Sequence, residues 1–136
     1  MTSTGYSGTP LIKKLGIKPG SKLLVLNAPE NFESFFENSI QQQLVTGNIV
    51  PDIVKLFAKD HQAFLSGMKK VIPLFRKNPN MVCWVCWYKK SSGIKTDITE
   101  DIIRNFALEG DLVDVKVCAV NEQWSGLKLV MRLSKR

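Results

Sequence analysis

The sequence is poor in the residues that most often bind metals or carry out acid–base catalysis. It has a single histidine, His61, and three cysteines, and no apolar run long enough to cross a bilayer. Cysteines that are odd in number and set in apolar stretches predict reduced, buried thiols, as in cytoplasmic proteins. We therefore expect a cytoplasmic protein with no bound metal, no cofactor and no membrane span, and a surface or helix-capping role for His61.

Acidic residues are absent between residues 61 and 96, although the chain as a whole has 12 of them against 19 Lys and Arg. This segment contains six Lys and one Arg, and it therefore carries the entire net charge of +7. The asymmetry predicts an anionic partner, either a phosphate ligand or an acidic protein, with nucleic acid weakly supported because aromatic residues are not interleaved with the charges. The alternative is a solvated helix face that only keeps the protein in solution.

The longest apolar run is M-V-C-W-V-C-W-Y at 81–88, and its length is that of a strand. A strand that is apolar at every position is buried on both sides, so we expect it at the centre of a sheet covered on both faces. Cys83 and Cys86 match the C-x-x-C sequence pattern, but residues three apart on a strand point to opposite faces of the sheet. The pair is therefore predicted to be structural, and we predict no catalytic residue from the motifs of the chain.

The remaining segments alternate between strand and helix patterns. Strands are predicted at 23–27, 52–58, 81–88, 112–120 and 127–133, and helices from Thr9 to Gly16 and over 30–44, 61–77 and 97–108. Asp60 is expected to cap the third helix, Pro73 to kink or split it, and Asp97 with Glu100 to form a capping box for the fourth. Residues 1–9 have no secretory pattern and are expected to be a disordered lead-in, followed by a single α/β domain over 10–136.

A helix end, a Pro-Gly turn and a buried strand follow one another in L-G-I-K-P-G-S-K-L-L-V-L-N-A-P at 15–29. This stretch resembles the start of S-adenosylmethionine-dependent methyltransferase domains. There the first strand leads into a glycine-rich loop, whereas this chain has Asn27, Ala28 and Pro29, so a diverged transferase is kept as an alternative function.

The stretch N-E-Q-W-S-G-L-K-L-V at 121–130 points to a second resemblance, together with K-L-G-I-K-P-G at 14–20, W-Y-K-K at 87–90 and T-D-I at 96–98. These stretches resemble a bacterial family of small proteins known as domain of unknown function 3052, over about residues 15–130. The resemblance implies a compact α/β domain without an assigned reaction. Trp124 is expected to lie at a hairpin turn and to pack on the edge of the sheet.

These patterns together predict an α/β fold with three layers, a shortened Rossmann-like sheet of the methyltransferase type. The sheet would have about five mostly parallel strands and a C-terminal antiparallel hairpin, in the order 52–58, 23–27, 81–88, 127–133, 112–120. Ligands of parallel sheets bind beyond the carboxyl ends of the strands. We therefore predict a tentative anion site there, formed by Asn27, Lys89, Lys90, Ser91, Ser92 and Gly93. The predicted function is a non-catalytic binding module, and an ordinary solvated loop is the competing interpretation of 89–93.

Overall fold

A computed structural model describes residues 11–30, 32–36, 43–46 and 48–136. The strands are β1 (Leu23–Leu26), β2 (Ile53–Phe57), β3 (Val82–Tyr88), β4 (Leu112–Ala119) and β5 (Trp124–Met131). The α-helices are α1 (Leu11–Lys14), α2 (His61–Lys77) and α3 (Glu100–Glu109), and short 3-10 turns lie at Phe32–Phe35, Lys90–Ser92 and Leu133–Lys135. The predicted lead-in at 1–9 lies outside the described residues.

The predicted helix over 30–44 is only partly covered by the described residues. The prediction is wrong at the C-terminal end of this segment, which is not helical. Phe32–Phe35 form a 3-10 turn, and residues 37–42 lie outside the described part of the chain. Leu44 is extended and makes an isolated parallel bridge with Leu23. The bridge adds a one-residue strand beyond β1.

The five strands form one mixed sheet in the order β1-β2-β3-β5-β4. β1, β2 and β3 are parallel, and β5 is antiparallel to both of its neighbours, β3 and β4. The strand at 81–88 is central, as predicted. The predicted outer position of 52–58 is wrong, because β2 lies between β1 and β3 and all five of its residues are buried. Lys55 gave this segment the weakly alternating pattern of an outer strand, yet its side chain is fully buried.

Each face of the sheet packs against its own hydrophobic cluster. We call them the α2/α3 face and the α1 face, after the helices that cover them. Strand residues on the α2/α3 face include Leu24, Val54, Leu56, Cys83, Val85, Leu127 and Leu129. Those on the α1 face include Leu23, Ile53, Phe57, Trp84, Cys86 and Cys118, packed against α1 and the turn at Phe32–Phe35. Cys83 and Cys86 lie on opposite faces, which confirms the prediction from their spacing.

Helix α2 begins where Asp60 accepts a hydrogen bond from the backbone N–H of Ala63 at 2.8 Å, as predicted for its N-cap. The helix packs very closely on β2 at Gly67, where an added Cβ would lie 2.4 Å from Leu56 Cδ1. Pro73 does not split the helix, which continues to Lys77. The apolar face is buried and the basic side chains are exposed, the latter being Lys69, Lys70, Arg76 and Lys77.

Helix α3 is capped by Thr99, whose side chain accepts a hydrogen bond from Ile102 N–H at 3.3 Å. The predicted capping box of Asp97 and Glu100 is therefore wrong. Asp97 instead accepts the backbone N–H of His61, at the start of α2, at 2.7 Å. Because Asp97 joins the segment before α3 to the first turn of α2, it ties together two elements that are far apart in sequence.

The hairpin is formed by β4 and β5, and β5 starts at Trp124, three residues before the predicted strand. Trp124 is buried, with its ring centroid 4.9 Å from that of Phe57 and 4.2 Å from that of Tyr88. Its predicted position at the edge of the sheet is wrong, because β5 lies between β3 and β4. A bulge interrupts β4 between Asp114 and Lys116. No helix within the described ranges is both long enough and apolar enough to cross a membrane.

Candidate functional site

An open depression of about 990 Å³ lies beyond the carboxyl end of β3. Its walls come from the end of β3, the loop that leads to α3 and the first turn of α3, with Asp60 and Ser125 at the sides. The position agrees with the rule that ligands of parallel sheets bind beyond the carboxyl ends of the strands. The lining residues that can be charged are Asp60, Lys89, Lys90, Lys95, Asp97, Glu100 and Asp101.

The loop after β3 is held in shape by its own hydrogen bonds. Ser92 Oγ donates to the carbonyl of Lys89 at 2.6 Å and accepts the N–H of Ile94 at 3.2 Å. Gly93 has a φ of 75°, a left-handed conformation that glycine adopts without strain. The turn therefore has a defined shape before any ligand is bound.

Two further contacts join this loop to the β2–α2 connection. Thr96 Oγ1 donates to the carbonyl of Lys59 at 2.7 Å, and Asp97 accepts the N–H of His61. The loop and the start of α2 thus form a continuous rim around the depression. Because the carboxyl ends of β2 and β3 are adjacent in the sheet, the same edge brings together residues some 36 positions apart in sequence.

The acidic side chains of the depression all have structural partners. Asp60 caps α2, Asp97 holds the His61 N–H, and Glu100 and Asp101 both bind Arg104. Arg104 also binds Asp114 on β4 at 3.0 Å. The hydrogen bond with Glu100 contributes most to raising the pKa of Arg104, and the hydrogen bond with Asp114 raises it further. The carboxylates of the depression therefore already form hydrogen bonds or ion pairs, which stabilise the first turns of α2 and α3 and position Arg104 against β4.

The lysines of the depression differ from its acids. Lys90 and Lys95 are exposed, and the side chain of neither has a hydrogen-bonding or ionic partner within the described part of the chain. Lys89 is partly buried and its backbone N–H donates to the carbonyl of Gln123 at 2.8 Å. The wall formed by residues 89–95 is thus basic, and the opposite wall, formed by 97–101, is acidic but already engaged.

The structure places three of the six predicted site residues in this depression, namely Lys89, Lys90 and Gly93. Asn27, Ser91 and Ser92 are not among its lining residues. Asn27 follows β1, which β2 separates from β3. The assignment of these residues to an anion site remains a prediction.

The backbone of the loop offers less to an anion than its sequence indicates. The N–H groups of Ser92 and Gly93 donate to the carbonyls of Lys89 and Lys90, at 3.1 and 3.2 Å. The N–H of Ile94 donates to Ser92 Oγ. An anion here would therefore be held by lysine ammonium groups and not by a nest of free N–H groups.

Sequence reasoning missed Asp60, Thr96 and Asp97 as parts of this site. Asp60 and Asp97 were assigned only to helix capping. A usable signal was present, since loops that follow neighbouring parallel strands meet at one edge of the sheet. This signal was hidden by the error in the predicted strand order, which placed 52–58 away from the central strand.

The cysteines and the histidine do not form a reactive centre among the described residues. Burial raises the pKa of Cys83, and burial likewise raises that of Cys86, against an opposing effect of Lys55. His61 stacks on Phe64 with ring centroids 6.4 Å apart. In the described ranges, no three side chains of His, Cys, Asp or Glu are grouped so that they could hold a metal ion.

Comparison with solved structures supports the fold. The chain is similar to a protein of the NADB-Rossmann superfamily from Streptococcus agalactiae, with a TM-score of 0.57 and 8% identity, over 96% of this chain and 71% of the other. At this identity the likeness shows a Rossmann-like fold and nothing about a ligand. No protein-family model matches the chain, so the resemblance to domain of unknown function 3052 is not confirmed. No curated protein matches it either.

Proposed function

We propose that this protein is a non-catalytic binding module that takes an anionic ligand, or an acidic segment of a partner protein, in the depression beyond β3. One observation carries the proposal. The acidic groups of the depression are engaged in structural hydrogen bonds and ion pairs, whereas the ammonium groups of Lys90 and Lys95 have no partner in the described chain. An incoming anion would therefore meet ammonium groups that need not break an existing ion pair.

The expected binding is weak and sensitive to salt. An exposed ion pair contributes about 0.2–1 kcal/mol, and salt screens it further. Several carboxylates or phosphate oxygens must therefore contact the basic wall at once to give useful affinity. An extended acidic segment meets this requirement, since the depression is wide and open to solvent along residues 89–101.

A charge-reversal experiment tests the proposal. Lys90→Glu/Lys95→Glu is compared with Lys69→Glu/Lys70→Glu, a control pair on the exposed side of α2 with the same change in net charge. Capture of the protein by an immobilised oligoglutamate peptide is measured at low salt. We expect the loop variant to lose at least tenfold in affinity and the control to lose less than threefold. Equal losses would show that only overall charge matters and would refute the site.

A transferase of the methyltransferase type is the second candidate, and the end of β1 favours it. Asn27 has a φ of 57°, so the turn after β1 keeps a left-handed residue where a cofactor loop would have glycine. The Leu23–Leu44 bridge lies on one side of β1 and β2 lies on the other. We propose on these grounds that the sheet is a shortened form of the methyltransferase arrangement, with β5 inserted antiparallel.

Calorimetry with S-adenosylmethionine distinguishes the two functions. Heat of binding that Asn27→Val removes would favour the transferase, because a β-branched residue resists a positive φ. No heat would leave the binding module as the better proposal. A third possibility, sequence-independent binding of nucleic acid, requires an affinity that falls steeply with added salt, which a mobility-shift assay measures.

A further inference from the structure

Three lysines and one tryptophan lie in a single row across the sheet. Lys55 on β2 is in register with Trp84 on β3, Trp84 with Lys128 on β5, and Lys128 with Lys116 on β4. Residues in register on neighbouring strands point to the same face. Trp84 belongs to the cluster on the α1 face, so the whole row is on that face.

The inner end of this row is fully buried and the outer end is open. Lys55 has no exposed surface, and its Nζ has no hydrogen-bond partner in the described chain, although it lies 5.2 Å from the Phe57 ring centroid. Lys128 is partly buried and Lys116 is exposed, with its Nζ 6.0 Å from the Trp84 ring centroid. The row therefore contains three basic residues and no acidic residue.

Like charges directly opposite each other on neighbouring strands destabilise a sheet, and Lys116 and Lys128 are such a pair. Every ion pair found among the described residues is made by Arg104, whose Asp114 partner lies on the other side of the β4 bulge. Burial lowers the pKa of Lys128, and the charge of Lys116 lowers it further. The two ammonium groups thus oppose each other, and no carboxylate in the described ranges forms an ion pair with either.

A groove of about 230 Å³ lies beside the outer end of the row. Its lining residues are Lys14, Lys116, Val117, Cys118 and Ala119. Lys14, at the end of α1, supplies a third cation from the helix that covers this face. Burial raises the pKa of the Cys118 thiol, and Lys14 is the foremost of the nearby lysines that act against this rise. The positive charge of these lysines therefore acts on the Cys118 thiol, and the reactivity of the thiol can be used to detect an anion bound beside them.

We propose that this groove binds a compact oligophosphate group, held by the ammonium groups of Lys14 and Lys116, with Lys128 next to Lys116 on β5. Lys14 of α1 and Lys116 of β4 line the groove, and Lys128 lies opposite Lys116 on β5. A multiply charged anion would relieve the repulsion between these lysines. At about 230 Å³, the groove has room for a short chain of phosphates. A nucleic-acid strand fits less well, since Trp84 and Trp124 are buried and offer no ring on which a base could stack.

The groove is distinct from the depression beyond β3, because the two share no lining residue. If the groove binds no oligophosphate, the function proposed for the depression is unaffected. If the depression binds no anion, the proposal for the groove is likewise unaffected.

Titration with inorganic tripolyphosphate tests the groove directly. Calorimetry compares the unmodified protein with Lys116→Gln/Lys128→Gln and with Lys69→Gln/Lys70→Gln, an exposed pair on α2 that lowers the net charge equally. We expect the groove variant to bind at least tenfold more weakly and the control to stay within twofold. A similar loss in both variants, or no binding to the unmodified protein at physiological salt, would overturn the proposal.

Alkylation of Cys118 provides a second readout. Cys83 and Cys86 are fully buried, so neutral iodoacetamide should modify Cys118 first, and mass spectrometry follows the rate. Tripolyphosphate should slow this reaction at least threefold in the unmodified protein and leave it unchanged in the groove variant. The variant should also melt no lower than the unmodified protein, because it removes a repulsive pair. Protection that persists in the variant would place the anion elsewhere and refute the assignment.

Discussion

The two faces of the sheet differ in what they bury. The α2/α3 face contains side chains that are almost entirely apolar, including Phe64, Met68, Val71 and Phe75 of α2. The α1 face also contains polar groups at its centre, namely the buried ammonium of Lys55 and the indole N–H of Trp84, which donates to the carbonyl of Leu15 at 3.1 Å. One face therefore resembles an ordinary core, and the other includes a polar group, the amine of Lys55, whose burial costs free energy.

This difference indicates that the two faces have been shaped by different demands. Burying apolar surface stabilises the fold in proportion to the area removed from water. An unpaired buried amine does the opposite, since it loses its hydration without gaining a hydrogen bond. The α2/α3 face thus stabilises the fold through apolar burial, and the α1 face combines apolar burial with an enclosed amine.

The largest expected effect is on the α2/α3 face, where Phe64→Ala should destabilise the protein by about 3–5 kcal/mol. Phe64 is fully buried and its ring centroid lies 5.1 Å from that of Phe106 on α3, so truncation opens a cavity between both helices and the sheet. Urea denaturation measures the change. Leu65→Ala is the control, since Leu65 is the next residue of α2 and is 36% exposed. Equal losses in both variants would contradict the assignment of the core.

A smaller effect of opposite sign is expected on the α1 face. Lys55→Met keeps the length of the side chain and removes the unpaired amine, so it should stabilise the protein by about 1–3 kcal/mol. Thermal and urea denaturation measure the gain, and Lys69→Met on the exposed side of α2 should change stability by less than about 0.5 kcal/mol. A loss of stability in Lys55→Met would mean that the amine has a favourable partner, and the contrast between the faces would fail.

Lys55 also shows where sequence reasoning stops. The central strand, the alternation of strands and helices, and the opposite orientations of Cys83 and Cys86 could all be predicted, because hydrophobic runs and the two-residue period of strands are local properties. The neighbours of β2 in the sheet could not be predicted, since strand order depends on contacts between segments that are distant in sequence. A lysine in an apolar segment predicts an exposed edge, and only the packed sheet shows that this lysine is enclosed.

The candidate site was predictable to a similar extent. The carboxyl end of β3 and its lysines followed from the fold class alone. The contact between Asp97 and His61 did not, because it depends on how the start of α2 lies beside the loop before α3. The lysine row was hidden for the same reason, since Lys55, Lys116 and Lys128 are brought together only by strand register.

The next prediction sharpens the comparison where the α2/α3 face meets the depression. Thr99→Ala should cost about 1 kcal/mol, because it leaves an N–H at the start of α3 without its cap. Amide hydrogen exchange at Ile102 should become faster in this variant. Asp97→Ala should instead expose the His61 N–H and leave Ile102 unchanged. Faster exchange at the Glu100 N–H in Asp97→Ala would instead support the capping box predicted from the sequence, in which Asp97 accepts that N–H.

The smallest expected effects concern charge, and they should differ in sign between the two sides of the bulge in β4. Arg104 binds Glu100, Asp101 and Asp114, so Arg104→Gln removes attraction and should lower the melting temperature. Lys116→Gln removes repulsion from Lys128 and should raise it slightly. Both shifts should shrink at high salt, because these side chains are exposed or only partly buried and their interactions are screened. Shifts of the same sign, or shifts that salt does not change, would mean that packing and not charge distinguishes these two positions.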